Sequence, residues 1–199
     1  MAKIKFTKNE LKRQKDALKR FLRYLPTLML KKQQLQMEIR KIEAQQAELR
    51  RNRELRFREI QGWIAVFGED VGFSQLLNVA SVDTEVGNIA GVDIPVFREI
   101  HFEEAPYDLF VLPLWVDRAI DKVKELASLD AEIGVLEKQS DLLGEELRIT
   151  SQRVNLFEKV KIPETNENIR MIQIYLGDEQ TAAVVRGKIA KKKLVRVSQ

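Results

Sequence analysis

Residues 35–51 read LQMEIRKIEAQQAELRR, and within them Leu35, Ile39, Ile42, Gln46 and Leu49 recur at alternating steps of four and three. Such a step holds one narrow apolar seam in line along a helix that winds around a partner, whereas a helix lying on a globular core shows a broader face. Continued outward, the step visits Leu11, Gln14, Leu18, Phe21, Leu25, Leu28 and Lys32 on one side and Arg53, Arg56 and Ile60 on the other, so that ten of fifteen positions are apolar. A second run visits Leu126, Leu129, Ile133, Leu136, Ser140, Leu143, Leu147, Thr150, Val154 and Phe157, with eight of ten apolar. The expected fold class is mainly α, a long antiparallel two-helix coiled coil formed by the N- and C-terminal helices, with a short central β-hairpin segment between them.

Charge supports the pairing. Residues 1–60 hold 18 Lys and Arg against 7 Asp and Glu, a net +11, while residues 61–163 hold 9 against 19, a net −10. Antiparallel partners are expected to have residue numbers summing to roughly 180, which sets Arg50, Arg51, Arg53, Arg56 and Arg58 against Asp117, Asp121, Glu125, Asp130 and Glu132. Exposed pairs of this kind contribute about 0–1 kcal/mol each, so they choose register and orientation more than they add stability.

The chain divides into residues 1–66, the first helix; 67–112, a central segment; 113–187, the second helix, with a bend expected at Pro163; and 188–199, a basic tail. Thr7 and Glu10 form a capping box with Phe6 and Leu11 at the staple positions, which starts the first helix near Lys8. Pro26 removes a backbone donor inside that helix and predicts a bend, at a cost of about 3 kcal/mol. Gly62 and Gly68 mark its exit, and Trp63 and Trp115, where the helices leave the coiled coil, are placed to pack together or to anchor a partner. Alternating β-branched residues over 81–86 and 94–102, with turn residues Gly87 to Gly91 between, predict a hairpin over about residues 81–102. A lone hairpin is marginal in water, so it leans on the coiled coil or on a partner. Its polar alternation predicts that its removal leaves the coiled coil's melting nearly unchanged. Beyond Pro163 comes a further amphipathic segment, Ile169, Ile172, Leu176 and Ala183; the last twenty residues then lack a partner on the first helix and are expected to fray or be held by something else.

The chemistry available is narrow. With no Cys there is neither disulfide nor thiolate, in keeping with a reducing compartment. No apolar run approaches the roughly 18 residues of a membrane span, and Lys12, Arg13, Lys15, Lys19 and Arg20 interrupt anything like a signal peptide, so a cytoplasmic chain without direct membrane insertion is expected. Gly187-Lys188 is followed by Ile189, not by Ser or Thr, so no P-loop is present. The single His101 cannot build a multi-histidine metal site and reads as a polar strand residue. Most carboxylates lie at helical spacing as a solvated face. Lys188, Lys191, Lys192, Lys193 and Arg196 could touch phosphates, but without interleaved aromatics or a reading helix they point to a solvated or partner-facing end. No catalytic, cofactor-binding or metal-binding residue is assigned. The residues singled out are the seam: Leu18, Phe21, Leu25, Leu28, Leu35, Ile39, Ile42, Leu49, Leu126, Leu129, Ile133, Leu136, Leu143, Leu147, Val154 and Phe157.

Arg153-Val154-Asn155-Leu156 with Glu158, Ile162-Pro163, Ile169, Ile172, Leu176 and Asp178-Glu179, together with Thr7-Lys8, Leu11-Lys12, Met29-Leu30-Lys31, Gly91-Val92 and Ile94-Pro95, resemble the D-subunit family of the V/A-type (V-type) rotary ATPases over nearly the whole chain. The chain departs from that pattern at Pro26, Gln33, Gln34 and Gln180. The resemblance implies a central-stalk rotor component without catalytic residues of its own. It also implies paired termini inside a catalytic hexamer of A and B subunits, and a central segment facing the small F subunit and the funnel-shaped C subunit above the membrane ring. Its place would be the cytoplasmic face of the cell membrane, with ATP synthesis or ATP-driven ion transport as the work of the complex. The rivals are a basic helical-hairpin arm for nucleic acid and a cytosolic scaffold; neither nucleic acid nor cofactor is expected.

Overall fold

The computed structural model describes residues 4–62, 76–106, 112–113 and 115–197, with side-chain surroundings to Lys193. In chain order the elements are helix α1 (Lys8–Gln61), strands β1 (Leu77–Ile89) and β2 (Val92–Glu104), helix α2 (Val116–Leu156), a π-helical turn (Phe157–Lys161) and helix α3 (Ile162–Val197). The chain is thus mostly helical with a two-stranded antiparallel hairpin in the middle. Two compact units divide it, one of Met1–Lys31 with Thr150–Gln199 and one of Lys32–Ile149. Trp63 and Gly68 lie outside the described residues.

Local chemistry explains each boundary. The Thr7 hydroxyl accepts from the Glu10 amide at 3.2 Å, and the Leu11 amide donates to the Thr7 carbonyl at 2.9 Å, so α1 begins on its cap. α1 then runs through Pro26 as one helical element. At the start of α2 the Val116 amide donates to the Pro113 carbonyl at 3.0 Å.

Pro163 does not end the second helical run. Having no N–H, it cannot serve the Lys159 carbonyl, and its ring would press on that group in an α-helix. The backbone widens just before it, and the Ile162 amide reaches five residues back to the Phe157 carbonyl. One residue is thereby inserted into the helical repeat. A 3,4 step continued from Phe157 would turn Glu164, Met171 and Tyr175 inward; instead these are exposed, while Thr165 and Ile172, one residue later, are buried. The helix also carries Lys188 to Lys193 within its last turns instead of dissolving before them. Lys and Ala are good helix formers, and cationic side chains suit a helix C-terminus.

The hairpin is longer than its alternation suggests, pairing from Leu77↔Glu104 to Ile89↔Val92, and its turn is only Ala90-Gly91, with φ of 52° and 78°. Two consecutive left-handed residues make the type I′ turn whose twist matches the strands. The Asn88 side chain holds it, accepting from the Gly91 amide at 3.1 Å and donating to Asp93 at 2.6 Å.

Candidate functional site: the helix seams and the hairpin

In the unit of Lys32–Ile149 the core is a point where three elements meet. Leu35 and Ile42 of α1, Leu143 of α2 and Ile94 of β2 form one buried cluster, with Ile39, Leu136, Leu147, the turn residue Ala90 and its flanking strand residues Ile89 and Val92 packed against it. Leu35 and Leu143 are fully buried. At the hairpin's open end Lys124 pairs with Glu104 at 2.7 Å, and nearer the turn the buried Gln139 donates to the Pro95 carbonyl at 2.6 Å. The hairpin therefore lies along α2 and caps the seam with its tip. This corrects the expectation that it is dispensable for stability: Ile94 is core, and the hairpin covers Leu35 and Leu143.

Charge threads the same unit. Arg50 reaches Glu137 at 2.7 Å, Arg53 reaches Asp130 at 2.7 Å, Arg56 reaches Glu125 at 3.9 Å and Lys122 reaches Glu59 at 3.8 Å. As one number rises the other falls, so the helices run antiparallel, and each pair sums to a little over 180. Arg58 instead pairs with Glu54 one turn back on its own helix. The hydrogen bond and charge of Asp130 raise the Arg53 pKa further, and Arg53 also lies 5.6 Å above the Phe57 ring.

In the unit containing the chain ends, aromatic contacts mark the pairing: Phe21 meets Phe157 and Phe6 meets Tyr175, each with ring centroids 5.1 Å apart. Phe6 thus packs across to the other helix. Val154, Thr150, Thr165 and Ile172 are buried. The Thr165 hydroxyl donates to the Lys161 carbonyl at 2.6 Å, whereas that of Thr150 has no partner. On the outside, Asn9, Lys12, Arg13, Asp16, Lys19, Arg20 and Arg23 form an exposed, mostly basic face of α1. The ion pairs seen within this unit, Glu10–Arg13, Lys161–Glu164 and Glu167–Arg170, each span a single turn of one helix.

Of the seam residues singled out in the sequence, Leu35, Ile42, Ile133, Leu143 and Val154 are buried; Leu18, Phe21, Leu25, Leu28, Ile39, Leu49, Leu126, Leu129, Leu136, Leu147 and Phe157 are half-buried. Arg56 is exposed, and the half-buried Phe57 takes the inward position next to it. The 3,4 step misses Ile94, Val116, Ala119, Ile120, Val135 and Gln139, all buried. Val116, Ala119 and Ile120 carry a helical i, i+3, i+4 signal; Ile94 carries none that a strand reading could rank. His101 stands 2.9 Å from Asp83 on the hairpin surface. Among the described residues no group of three or more His, Asp or Glu is arranged to hold a metal, and no helix is long and apolar enough to cross a membrane.

The family profile for the D subunit of ATP synthase matches residues 10–192. A protein of Borreliella burgdorferi, named as the D subunit of a V-type ATP synthase, is 53% identical, over 98% of this chain and 97% of its own. Proteins of the same name from Chlamydia pneumoniae and Chlamydia caviae are 35% and 34% identical, over 96% and 97% of this chain and 93% and 94% of theirs.

Proposed function

The chain belongs to the ATP synthase D-subunit family, and on that footing we propose that it is the non-catalytic rotor shaft of a V/A-type rotary complex, passing torque between the catalytic A/B hexamer and the membrane ring. In this reading its termini stand in the bore of the hexamer. The hairpin side meets the small F subunit and the C subunit, at the cytoplasmic face of the membrane. The observation that carries the reading is antiparallel helix pairing within each unit, in a chain whose family match runs from residue 10 to residue 192.

A shaft has two mechanical duties. It must resist twisting, which two helices locked along a seam do better than one. It must also present an asymmetric surface, so that each of three catalytic interfaces meets a different contact. Unequal contact stabilises a different conformation at each interface, and nucleotide occupancy then biases rotation as rotation biases occupancy. The basic face along Lys12 to Arg23 would favour acidic groups on the partner surface it meets. The test is to mix the chain with an A/B hexamer from the same organism. One copy binding per hexamer with a changed ATPase rate supports the reading; no binding, or several copies without effect on turnover, contradicts it.

A further inference from the structure

The two strands of the hairpin have unlike surroundings. β2 lies on α2, with Ile94 buried and Pro95, Phe97, Ile100 and Phe102 half-buried. β1 is exposed at every residue from Asn78 to Val86, on both faces, including Val79, Val82 and Val86, the last 76% exposed.

Among the described residues the backbone of β1 has no partner on its outer side. Ile89↔Val92 closes a two-residue turn and is a hydrogen-bonded pair, so along an antiparallel ladder Gly87↔Ile94 and Glu85↔Val96 are bonded as well. Val86↔Pro95 and Thr84↔Phe97 are the alternate pairs, whose main-chain groups point away from the partner strand. Pro95 fits this phase twice: it has no N–H to offer β1, and its carbonyl accepts from Gln139 on the opposite side. By the same geometry the amides and carbonyls of Thr84 and Val86 face outward from β1, and among the described residues no backbone bond reaches them. Edge strands are blunted by charged side chains, Lys above all, by Pro and by bulges; β1 carries Asp83 and Glu85 and bulges only at Ala80. As for Lys and Pro, β1 contains neither, and from Ser81 to Ile89 no residue of it bulges out of the ladder.

We propose that the free edge of β1, centred on Thr84 and Val86, is a docking site at which an extended segment of another component of the rotary complex adds as a third strand. Charge indicates what that segment carries. Residues 76–106 hold six carboxylates, Asp83, Glu85, Asp93, Glu99, Glu103 and Glu104, against Arg98 alone among Lys and Arg, in a chain of net +4. The added strand is therefore flanked by Lys or Arg, with small apolar residues over Val82 and Val86, and backbone bonds supply affinity while these side chains supply selectivity. The inference rests on the rotor reading for the identity of the assembly.

The test uses the full chain and the remaining soluble subunits of its own complex. In Val86→Pro the outward N–H is lost while the bonds between β1 and β2 stay in place; Val86→Ser removes the apolar side chain and keeps the N–H. Expected is at least about tenfold weaker assembly for Val86→Pro, with Val86→Ser within about threefold of wild type. Amide hydrogen exchange at Thr84 and Val86 of the wild-type chain, fast in isolation, should slow on assembly, and this readout stands even where the proline variant misfolds. Normal assembly with unchanged exchange at Thr84 and Val86 overturns the docking site and leaves the rotor reading intact. A wild-type chain that dimerises alone through this edge overturns the choice of occupant, and a wild-type chain that does not assemble at all removes both readings.

Discussion

The unit built from residues 32–149 and the unit holding the chain ends solve the same packing problem with different means. In the first, the narrow seam gains a third layer from the hairpin and a row of cross-helix ion pairs from Arg50, Arg53, Arg56 and Lys122. In the second, Phe21 with Phe157 and Phe6 with Tyr175 bridge the helices, and a π-turn re-phases the seam. Two helices alone bury only a stripe, so most seam positions remain half-buried. Where the hairpin tip covers the seam, Ile94 joins the fully buried Leu35 and Leu143 in one cluster, whereas Ile172 of the other unit is fully buried without it. Stability should therefore be concentrated where the hairpin caps the seam, and charge on the other unit's outer face stays available to partners.

Core truncation probes that contrast most strongly. Leu143→Ala removes a fully buried side chain and should cost about 2–5 kcal/mol in urea unfolding. Leu18→Ala, half-buried in the other unit, should cost clearly less. Equal losses would mean that the third layer adds nothing.

Replacing Val82 to Phe102 by a short Gly-Ser linker should come next in effect. It deletes Ile94, whose burial is worth about 1.5–3 kcal/mol, and uncovers its neighbours, so the melting temperature of the helices should fall. Unchanged melting would restore the expectation that the hairpin is dispensable for the stability of the helices.

In the other unit the effect should have the opposite sign. Thr150 is 1% exposed and its hydroxyl has no partner. Thr150→Val keeps the shape and removes the unsatisfied group, so it should stabilise by about 1 kcal/mol in the same assay. Destabilisation would show that the hydroxyl is bonded in solution.

Surface charge should matter least. Asp130→Asn removes the charge and the second oxygen that face Arg53 and should cost less than about 1 kcal/mol, because the pair is largely open to solvent. The Arg148 hydrogen bond lowers the Glu145 pKa. A depressed carboxylate stabilises above its unfolded pKa, and the contribution is lost as pH falls through the folded value. Wild type and Glu145→Gln should therefore differ slightly in melting at neutral pH and converge below about pH 4.

Much of the molecule is legible in its sequence because a period of 3.5 is a strong signal. Spacing alone singles out Leu35, Ile42, Leu143 and Val154, which are buried, and the opposite charges of the two arms set an antiparallel register that Arg53 and Asp130 keep. What escapes is non-local. Ile94 is core only because its strand folds back onto α2, and no local pattern distinguishes it from Val96. Beyond Phe157 the amphipathic segment Ile169, Ile172 and Leu176 is also legible, and Ile172 is buried, but no local pattern shows the π-turn by which the helix passes Pro163 with one residue inserted. It passes over Phe57 for Arg56 because the 3,4 step is stricter than a real helix.

If the paired helices act as a shaft through their stiffness, loosening them must uncouple the machine, and the readout is ATPase activity coupled to ion transport in the reconstituted complex. Two variants are compared there, one truncated after Gly187 and one with polar substitutions at Leu147, Val154 and Phe157. Truncation should weaken binding to the hexamer modestly and preserve coupled turnover, whereas the triple substitution should abolish coupling. Loss of turnover on truncation, with the triple substitution tolerated, would refute the stiff shaft and place torque delivery in the tip.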